Sequence, residues 1–468
     1  MKPQKELPIQ EGRIFCMYCG SILTSPEEIT REAHLPCHEE IEKSFGHKRL
    51  IQDFLCGVFG PPLENLFSKD LNEVKQRIQL DPEGVKITAL DLSNLGITHI
   101  NLTDSNNVVN LLSDLLTLNL EDNQISVLPE EFFQLARIEE LNLRGNRLKS
   151  LSDSLGQLIG LVELELAGNQ LNDLPDSINQ LANIRKLNLN SNPLGCFPPS
   201  ITKLSGLEWL GLSWTQLKVL PEDIGSLSNL QSLALDSNGL SFLPSSIGHL
   251  TLLKELYLSY NQLTIIPDSF CGLIGLKDLR LGSNCLTEVP TDFGKLSNIE
   301  TLILDRNQLS ELPNSVCDML QLKMLWLERN QLGKLPECFG RLCRLTYLNL
   351  GYNKLEWLPE TFGLMTQLKE LYLYDNQLRS LPTSFGHLTN LSILHLWKNQ
   401  LDDLPNCIGL LECLEWLDVR GNQLESFPKK SGLWPKLTYL DISNNKKLGK
   451  IARLYSTKDD VQHLFLRL

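Results

Sequence analysis

The stretch LQSLALDSNGLSFLPSSIGHLTLLKELYLSYNQLTIIPDSFCGL, residues 230–273, decides the fold. It holds nearly two copies of one pattern, L-x-x-L-x-L-x-x-N-x-L-x-x-L-P-x-x-I/F-G-x-L-x-x, which begin at Leu230 and Leu253. In both directions from there, the first position of the pattern recurs every 23 residues without insertion or deletion. These first positions are Leu115, Ile138, Leu161, Ile184, Leu207, Leu230, Leu253, Leu276, Ile299, Leu322, Leu345, Leu368, Leu391, Leu414 and Leu437. A weaker unit precedes them, in which Ile87, Leu90 and Leu92 keep the apolar spacing and Leu95 takes the asparagine position.

Self-similarity at a short fixed period indicates a solenoid, in which each unit packs only against its neighbours. The L-x-L core predicts a short strand with alternate side chains pointing inward, and successive strands stack in parallel about 4.8 Å apart. The asparagine at position 9 predicts a buried amide that bonds backbone groups of its own and the adjacent unit. Thr215 replaces this asparagine, so we expect a weak point there. The proline at position 15 predicts that the chain leaves the strand and crosses to short helical turns, against which residues such as Phe132, Ile178, Phe270, Phe339 and Phe385 pack.

The unit, as in LQSLALDSNGLSFLPSSIGHL, resembles the cytosolic 23-residue leucine-rich-repeat class of the Ras-suppressor, Scribble-like and plant Ras-group proteins. The resemblance covers about residues 87–445. It implies an α/β leucine-rich-repeat solenoid, a horseshoe with a parallel β-sheet on its concave face and short helical turns on its convex face. It also implies a scaffold for other proteins, in several cases small GTPases and phosphatases. No P-loop pattern G-x-x-x-x-G-K-[ST] occurs, so a GTPase would be a partner of this chain rather than an activity within it.

Composition and spacing divide the 468 residues into four segments. We expect a zinc-knuckle module over 1–56, a linker with a helical cap over 57–86, the repeats over 87–445, and a basic C-terminal cap over 446–468. Residues 68–79 fit an amphipathic helix leading into the cap that covers the first edge of the array. The net charge of −13, the lack of a long apolar stretch and the lack of a secretory signal favour a cytoplasmic protein without membrane insertion.

Residues 12–38, GRIFCMYCGSILTSPEEITREAHLPCH, carry four candidate metal ligands: Cys16, Cys19, His34 and Cys37. Two C-x2-C-like pairs of such ligands fit a structural, tetrahedral Zn²⁺, and Gly20 lets the knuckle turn back. The FCMYCG portion resembles one knuckle of a zinc ribbon. The second pair departs from a ribbon, because a histidine stands in place of one cysteine and His38 could replace Cys37 or His34. Free thiols and surface histidines are the alternative.

Eight further cysteines lie inside the repeats: Cys196, Cys271, Cys285, Cys317, Cys338, Cys343, Cys407 and Cys413. A disulfide needs Cα atoms within about 7 Å of each other. No two of these cysteines share a position in adjacent units, since Cys271 and Cys317 lie two units apart and Cys338 and Cys407 lie three apart. The sequence therefore predicts free thiols in a reducing compartment and no disulfide.

Positions 2, 3, 5, 7 and 8 of each unit are predicted to face the concave surface, and tyrosine and tryptophan gather at positions 3, 5, 7 and 8. The larger cluster comprises Trp326, Tyr347, Tyr352, Tyr372, Tyr374, His395, Trp397, Trp416 and Tyr439. The smaller cluster comprises Trp209, Trp214, Tyr257 and Tyr260. Because tyrosine and tryptophan are enriched at binding hot spots, both clusters are candidate partner-binding sites.

Other interpretations of the aromatic positions stay open. Rings on neighbouring strands also stabilise a ladder by stacking on one another, without any partner. A carbohydrate or small-molecule site is a further alternative, although a shallow open arc makes a poor pocket. The first three repeats instead carry acidic residues, with Arg144 as the main exception: Glu121, Asp122, Glu140, Glu163 and Glu165. That end is expected to attract a basic segment.

The sequence predicts a protein without catalytic activity. His395 has Asp375 and Asp418 on neighbouring units, but no serine or cysteine is placed to use it as a base, and G-x-S-x-G and H-E-x-x-H are absent. We therefore expect a monomeric array that scaffolds a partner protein, possible partners being small GTPase or phosphatase pathway components. The alternative is a signalling or nucleic-acid adaptor that uses the zinc module, with the repeats as a spacer. The ten basic and twelve acidic residues in 1–80 disfavour nucleic acid.

Overall fold

The computed structural model describes residues 14–15, 22–23, 58, 77–80, 87–102, 112–426, 434–448 and 465–467. The chain forms two compact units, Met1–Thr215 and Gln216–Leu468, and each is described by itself. Within the described ranges, no helix combines the length and the apolar composition needed to cross a membrane.

The first unit starts with an antiparallel pair of two-residue strands, β1 (Ile14–Phe15) and β2 (Ile22–Leu23). A ladder follows, in which β3 runs antiparallel to β4 and all later neighbours are parallel. Its strands are β3 (Ile78–Leu80), β4 (Ile87–Asp91), β5 (Thr117–Asn119), β6 (Glu140–Asn142), β7 (Glu163–Glu165), β8 (Lys186–Asn188) and β9 (Trp209–Gly211).

The second unit contains a parallel ladder whose neighbours follow chain order. Its strands are β10 (Ser232–Ala234), β11 (Glu255–Tyr257), β12 (Asp278–Arg280), β13 (Thr301–Ile303), β14 (Met324–Trp326), β15 (Tyr347–Asn349), β16 (Glu370–Tyr372), β17 (Ile393–His395), β18 (Trp416–Asp418), β19 (Tyr439–Asp441) and β20 (Phe465–Arg467).

Short 3₁₀ turns follow the strands, as predicted from the proline column. In the first unit they span Glu130–Gln134, Asp153–Gln157, Asp176–Gln180 and Pro199–Lys203. In the second unit they span Glu222–Ser226, Ser245–His249, Asp268–Gly272, Phe293–Lys295, Asn314–Asp318, Phe339–Arg341, Glu360–Leu364, Thr383–His387 and Asn406–Leu410.

The register confirms the 23-residue period. Every strand from β5 to β19 covers positions 3 to 5 of one repeat, so equivalent residues of successive repeats are neighbours. At position 4, Leu348 and Leu371 pair across β15 and β16 and are both fully buried. Because side chains alternate along a strand, positions 3 and 5 lie on the opposite, open face, which we call the strand face.

Phenylalanine fills the space between the strands and the turns. Phe339, Phe362 and Phe385 are fully buried, and their rings stack with centroids 6.4 and 6.2 Å apart. Removing a side chain of this size from water stabilises a fold by roughly 1.5–3 kcal/mol. The packing predicted for phenylalanine and isoleucine on the turn side is confirmed.

A ladder of buried asparagines at position 9 ties each repeat to the one before it. Asn376 Nδ2 donates to the carbonyl oxygen of Leu350 in the preceding repeat at 2.9 Å and to that of Leu373 at 3.1 Å. Asn376 Oδ1 accepts the backbone N–H of Leu355 at 3.0 Å. Since Asn353 Nδ2 also donates to Leu350, at 3.1 Å, each of these carbonyls receives two amide donors.

Thr215 occupies the asparagine position at the end of the first unit. Its Oγ1 donates to the carbonyl oxygen of Leu212 at 2.6 Å. Elsewhere the backbone N–H 21 residues before the asparagine donates to the asparagine Oδ1. The equivalent N–H here is that of Leu194, and it donates to the carbonyl oxygen of Asn192 at 2.9 Å. The backbone has therefore adapted to threonine, and the weak point expected here stays a prediction.

Strands cover the outer edges of the two ladders. The helix predicted over 68–79 is wrong for residues 78 and 79, because Ile78–Leu80 is a strand that pairs antiparallel with β4. A paired strand satisfies the edge N–H and C=O groups of β4, which a helix would leave open. Residue 77 is helical, as predicted, and residues 68–76 lie outside the described residues. At the other end β20 pairs with β19. The C-terminal cap expected over 446–468 stays a prediction.

The turns of adjacent repeats meet on a diagonal, with position 19 of one repeat against position 17 of the next. Gly225 shows this contact, since a Cβ placed on it would lie 2.6 Å from the carbonyl oxygen of Ser246. Cys317 and Cys338 occupy the same two positions, and they form a disulfide with Cα atoms 5.8 Å apart. The prediction of no disulfide is wrong for this pair, because it compared like positions and overlooked the two-residue offset. The other six cysteines within the repeats are free.

Candidate functional site

The larger aromatic cluster forms one surface on the strand face of the second unit. It comprises Trp326, Tyr347, Tyr352, Tyr372, Tyr374, His395, Trp397, Trp416 and Tyr439, and we call this set the aromatic face. Positions 3 and 5 of strands β14 to β19 place six of these side chains. The other three follow the strands at positions 7 and 8.

The six strand residues make a continuous row, because each ring contacts the next across the ladder. The centroid distances are 4.5 Å for Trp326–Tyr347, 5.4 Å for Tyr347–Tyr372, 5.1 Å for Tyr372–His395, 6.0 Å for His395–Trp416 and 3.6 Å for Trp416–Tyr439. The row thus spans six successive repeats without interruption.

A second, shorter row runs beside the first at the ends of the strands. Tyr374 stacks on Trp397 with centroids 4.6 Å apart, and Tyr352 meets both rings edge-on at 5.4 and 6.1 Å. Tyr374 also contacts Tyr372 and His395 of the first row, at 6.3 and 6.4 Å. All nine side chains therefore belong to one network of ring contacts.

Cations cover part of the second row. The Arg329 guanidinium lies 4.4 Å from the Tyr352 ring centroid, while Lys398 Nζ and the Arg420 guanidinium lie 5.1 and 5.2 Å from that of Trp397. A cation over a ring face is attracted by the ring quadrupole. These faces are thus occupied by the chain itself, whereas Trp416 keeps 36% of its surface exposed.

Tyr347, Tyr372 and Tyr374 of the aromatic face are neutral hydrogen-bonding groups at neutral pH. Burial raises the pKa of Tyr374 to about 12 and also raises the pKa of Tyr347. Burial and the hydrogen bond that its hydroxyl donates to Glu370, at 2.9 Å, raise the pKa of Tyr372. The surface can therefore offer apolar area together with phenolic O–H groups.

Two buried carboxylates lie at the C-terminal end of the aromatic face. Asp418 and Asp441 are 3% and 1% exposed, and Arg420 bridges them, with N–O distances of 3.4 and 3.8 Å. His395 Nδ1 lies 3.9 Å from Asp418 Oδ2. Asp375, the other carboxylate expected near His395, instead pairs with Lys398 Nζ at 3.1 Å.

The four residues of the smaller cluster are divided between the two units. In the first unit Trp209 has Lys186 Nζ 5.7 Å from its ring centroid, and Trp214 is 67% exposed. In the second unit the Arg280 guanidinium lies 4.6 Å from the Tyr257 ring centroid, and burial raises the pKa of Tyr257 to about 12. Tyr260 is 64% exposed and has a φ of 57°, in the left-handed region.

The acidic end of the first unit carries its own cations. Arg144 Nη1 lies 2.8 Å from Glu121 Oε1, and Lys186 Nζ lies 2.8 Å from Glu165 and 3.5 Å from Glu163. These residues and Glu140 line an open depression of about 520 Å³. A basic segment binding there would compete with ion pairs inside the chain.

Sequence reasoning found the aromatic residues but missed part of their surroundings. It overlooked the ion pair between Arg420 and the buried Asp441, although two successive aspartates at position 5 gave a signal. It also overlooked an exposed apolar row at position 13, formed by Val219, Phe242 and Ile265, which are 49%, 46% and 55% exposed.

The candidate zinc ligands Cys16, Cys19, His34 and Cys37 lie outside the described residues. The strands β1 and β2 flank the first pair, with Ile14 opposite Leu23 and Phe15 opposite Ile22. Over the part of the chain that the structure describes, no group of three or more His, Cys, Asp or Glu side chains is arranged to hold a metal ion.

Two family profiles match the sequence. One, described as a leucine-rich repeat region, matches residues 195–273. The other, described as leucine rich repeat, matches 137–194 and overlapping segments between 264 and 424. Together they span 137–424, which is more than half of the chain. No curated protein matches the sequence.

Solved structures with a similar fold include a leucine-rich-repeat protein from Leptospira interrogans, at 29% identity and a TM-score of 0.66. That match covers 86% of this chain and 99% of the other. The plant peptide hormone receptor RGFR1, solved in complex with RGF2, has 29% identity and a TM-score of 0.62, covering 78% and 67%. A TDR receptor has 28% identity and a TM-score of 0.62, covering 73% and 67%.

Proposed function

The chain is a leucine-rich-repeat protein, and on that premise we propose that it is a non-catalytic scaffold that binds a partner protein through the aromatic face. The leucine-rich-repeat fold is a common scaffold for protein–protein interaction, and a receptor–ligand complex is among the similar structures. Nothing in the repeat family or in these structures points to an enzyme.

The observation that carries the proposal is the continuous network of nine rings on the strand face. Ring contacts hold these side chains in fixed positions, so little side-chain entropy is lost when a partner covers them. Stacking alone would also stabilise the ladder, but a purely structural role does not require the rings to lie on the open face. Buried phenylalanines stack in the same way on the turn side, where solvent does not reach.

The partner class follows from the resemblance of the repeat unit. The Ras-suppressor and Scribble-like class implies an intracellular array and a partner from a small GTPase or phosphatase pathway. To these we add a cytoplasmic location, a monomeric array and a role in signal transduction. We propose these as the finer features of the function.

Affinity capture from source-cell lysate tests the proposal. The wild-type chain is compared with the variant Trp326→Ala/Tyr372→Ala/Trp397→Ala by mass spectrometry of the bound proteins. A matched control, Val219→Ala/Phe242→Ala/Trp357→Ala, removes exposed apolar side chains at position 13 of the same unit. Thermal melts establish that all three chains are folded.

A protein bound by the wild type and the control but lost from the aromatic variant supports the proposal. If the same proteins bind all three chains, the aromatic rings serve only to stabilise the ladder, and the proposal fails.

We also propose a structural zinc site at Cys16, Cys19, His34 and Cys37, with His38 as the alternative ligand to Cys37 or His34. The antiparallel pairing of β1 and β2 supports it, because it brings together the two strands that flank the Cys16–Cys19 pair in the sequence. Zinc content measured by plasma mass spectrometry should be one ion per chain, lost in Cys16→Ser and kept in Cys196→Ser. Equal zinc content in the wild type and in Cys16→Ser would refute the zinc site.

The zinc site leads to the second candidate function, an adaptor that uses this module with the repeats as a spacer. Partner capture that is lost in Cys16→Ser but kept in the aromatic variant would favour this adaptor over the scaffold.

A further inference from the structure

We propose that Cys317 and Cys338 form a reversible thiol–disulfide site that takes a low-molecular-weight disulfide, such as oxidised glutathione, as its oxidant. Their position in the fold makes the pair possible. Cys317 lies in the turn Asn314–Asp318 and Cys338 immediately precedes the turn Phe339–Arg341 of the next repeat, with Cα atoms 5.8 Å apart.

The free state of the other cysteines in the repeats supports a reversible disulfide between Cys317 and Cys338. Six cysteines within the repeats are free, and two of them, Cys196 and Cys343, are exposed. Disulfides persist in oxidising compartments, where exposed free thiols are targets for unwanted pairing. A chain that keeps such thiols suits a reducing compartment, and there a single disulfide is formed only when an oxidant is present.

The two sulfurs differ in their access to an oxidant. Cys317 is fully buried, whereas Cys338 is partly exposed and its Sγ lies 3.5 Å from the carbonyl oxygen of Asn314 at the surface. A small oxidant can therefore reach Cys338 first, and Cys317 is placed to attack the product from inside.

Oxidation of the Cys317–Cys338 pair takes two successive thiol–disulfide exchanges. The Cys338 thiolate attacks one sulfur of oxidised glutathione, forms a mixed disulfide and releases one glutathione thiolate, which takes up the proton. The Cys317 thiol then loses its proton, attacks Cys338 Sγ and releases the second glutathione as a thiol. Two cysteine thiols are oxidised, one glutathione disulfide is reduced to two thiols, and excess reduced glutathione reverses both steps.

The disulfide joins two repeats at the start of the aromatic face. Cys317 belongs to the repeat of β13, and Cys338 belongs to the repeat of β14, which carries Trp326 on its strand face. A covalent link between their turns opposes separation of these two repeats. The ratio of oxidised to reduced glutathione around the chain would then determine how readily these two repeats separate beside the aromatic face.

Thiol mapping of the full chain tests the inference without any partner. The chain is incubated in mixtures of reduced and oxidised glutathione, alkylated, digested and examined by mass spectrometry. We expect Cys317 and Cys338 to be thiols in excess reduced glutathione, to be linked in excess oxidised glutathione, and to return to thiols when the mixture is reversed. In Cys317→Ala, Cys338 should instead retain a bound glutathione.

Three results would overturn the inference. A link that survives excess reduced glutathione would be a fixed structural disulfide. A pair that remains reduced in excess oxidised glutathione would not be a redox site. Oxidation of Cys196 or Cys343 while the pair remains reduced would place the reactive thiol elsewhere.

A transplanted pair provides a matched control within the chain. Cys271 also occupies position 19, and Asp292 stands at the facing position 17, immediately before the turn Phe293–Lys295, as Cys338 precedes its own turn. The variant Asp292→Cys should gain a second link, to Cys271, under the same oxidising mixture. Absence of that link in the folded variant would contradict the idea that the diagonal contact between turns decides the pairing.

Discussion

Replacing Asn376 by alanine tests how the asparagine ladder holds the repeats together. The substitution removes three hydrogen bonds donated by Nδ2, to the carbonyls of Leu350 and Leu373 and, at 3.3 Å, to that of Tyr374. It also removes one accepted by Oδ1 from the N–H of Leu355. The carbonyls of Leu350 and Leu373 each keep one amide donor, because Asn353 still donates to Leu350 and Asn399 to Leu373. The N–H of Leu355 loses its acceptor.

The expected loss follows from these separate effects. An orphaned buried N–H costs about 1–3 kcal/mol, and each carbonyl that drops from two donors to one loses about 0.5–1.5 kcal/mol. With the N–H of Leu355 and the two shorter carbonyl contacts counted, the sum is roughly 2–6 kcal/mol, which corresponds to a change of roughly two to four powers of ten in a local opening constant. The loss should be concentrated in the repeats of β15 and β16, because repeats contact only their neighbours.

Hydrogen exchange followed by mass spectrometry is the suitable assay, because a long array need not unfold in one step. Peptides covering 350–376 should exchange much faster in Asn376→Ala than in the wild type, and peptides of the first unit should not change. The control is Asn390→Ala, which removes one exposed hydrogen bond to the carbonyl of Thr366. If both variants exchange alike, the account of the ladder as the main polar tie between repeats is wrong.

Two further predictions concern the second unit. Burial raises the pKa of Asp236, so the folded chain holds this proton at higher pH than the unfolded chain, and the cost of the buried carboxylate is relieved as pH falls through the raised pKa. Asp236→Asn should therefore raise the melting temperature slightly at neutral pH and flatten the pH dependence of melting just above the ordinary aspartate pKa. A lower melting temperature of the variant at neutral pH would count against this. Gly225→Ala should lower the free energy of unfolding by about 1–3 kcal/mol in denaturant titrations, because its Cβ would lie 2.6 Å from the carbonyl oxygen of Ser246. Gly333→Ala, whose Cβ would have no atom within 4 Å, should be nearly neutral. Equal effects of the two substitutions would contradict the close approach of adjacent turns.

The periodic part of the fold could be predicted from the sequence because one set of contacts repeats. A 23-residue spacing without interruption requires leucines at like positions to be neighbours, and Leu348 beside Leu371 shows that they are. The strand-face positions of the aromatic residues follow from the same register. Ring contacts such as Trp416 on Tyr439 could be expected once the register was known.

Contacts between unlike positions could not be predicted in this way. The link between Cys317 and Cys338 depends on a two-residue offset between successive turns, which no comparison of like positions reveals. The strand Ile78–Leu80 depends on pairing with the edge of the ladder, which outweighs the helical pattern of the local sequence. The cations over Tyr352 and Trp397 depend on side-chain conformation, which spacing does not fix.

The most direct test of the central claim compares two exposed tryptophans for binding of the captured partner. Trp416 lies on the aromatic face and is 36% exposed, while Trp357 lies at position 13 of an earlier repeat in the same unit and is 47% exposed. The account predicts that Trp416→Ala weakens binding about tenfold or more in isothermal titration calorimetry, and that Trp357→Ala leaves the dissociation constant unchanged. Unchanged binding in Trp416→Ala together with a loss in Trp357→Ala would contradict it.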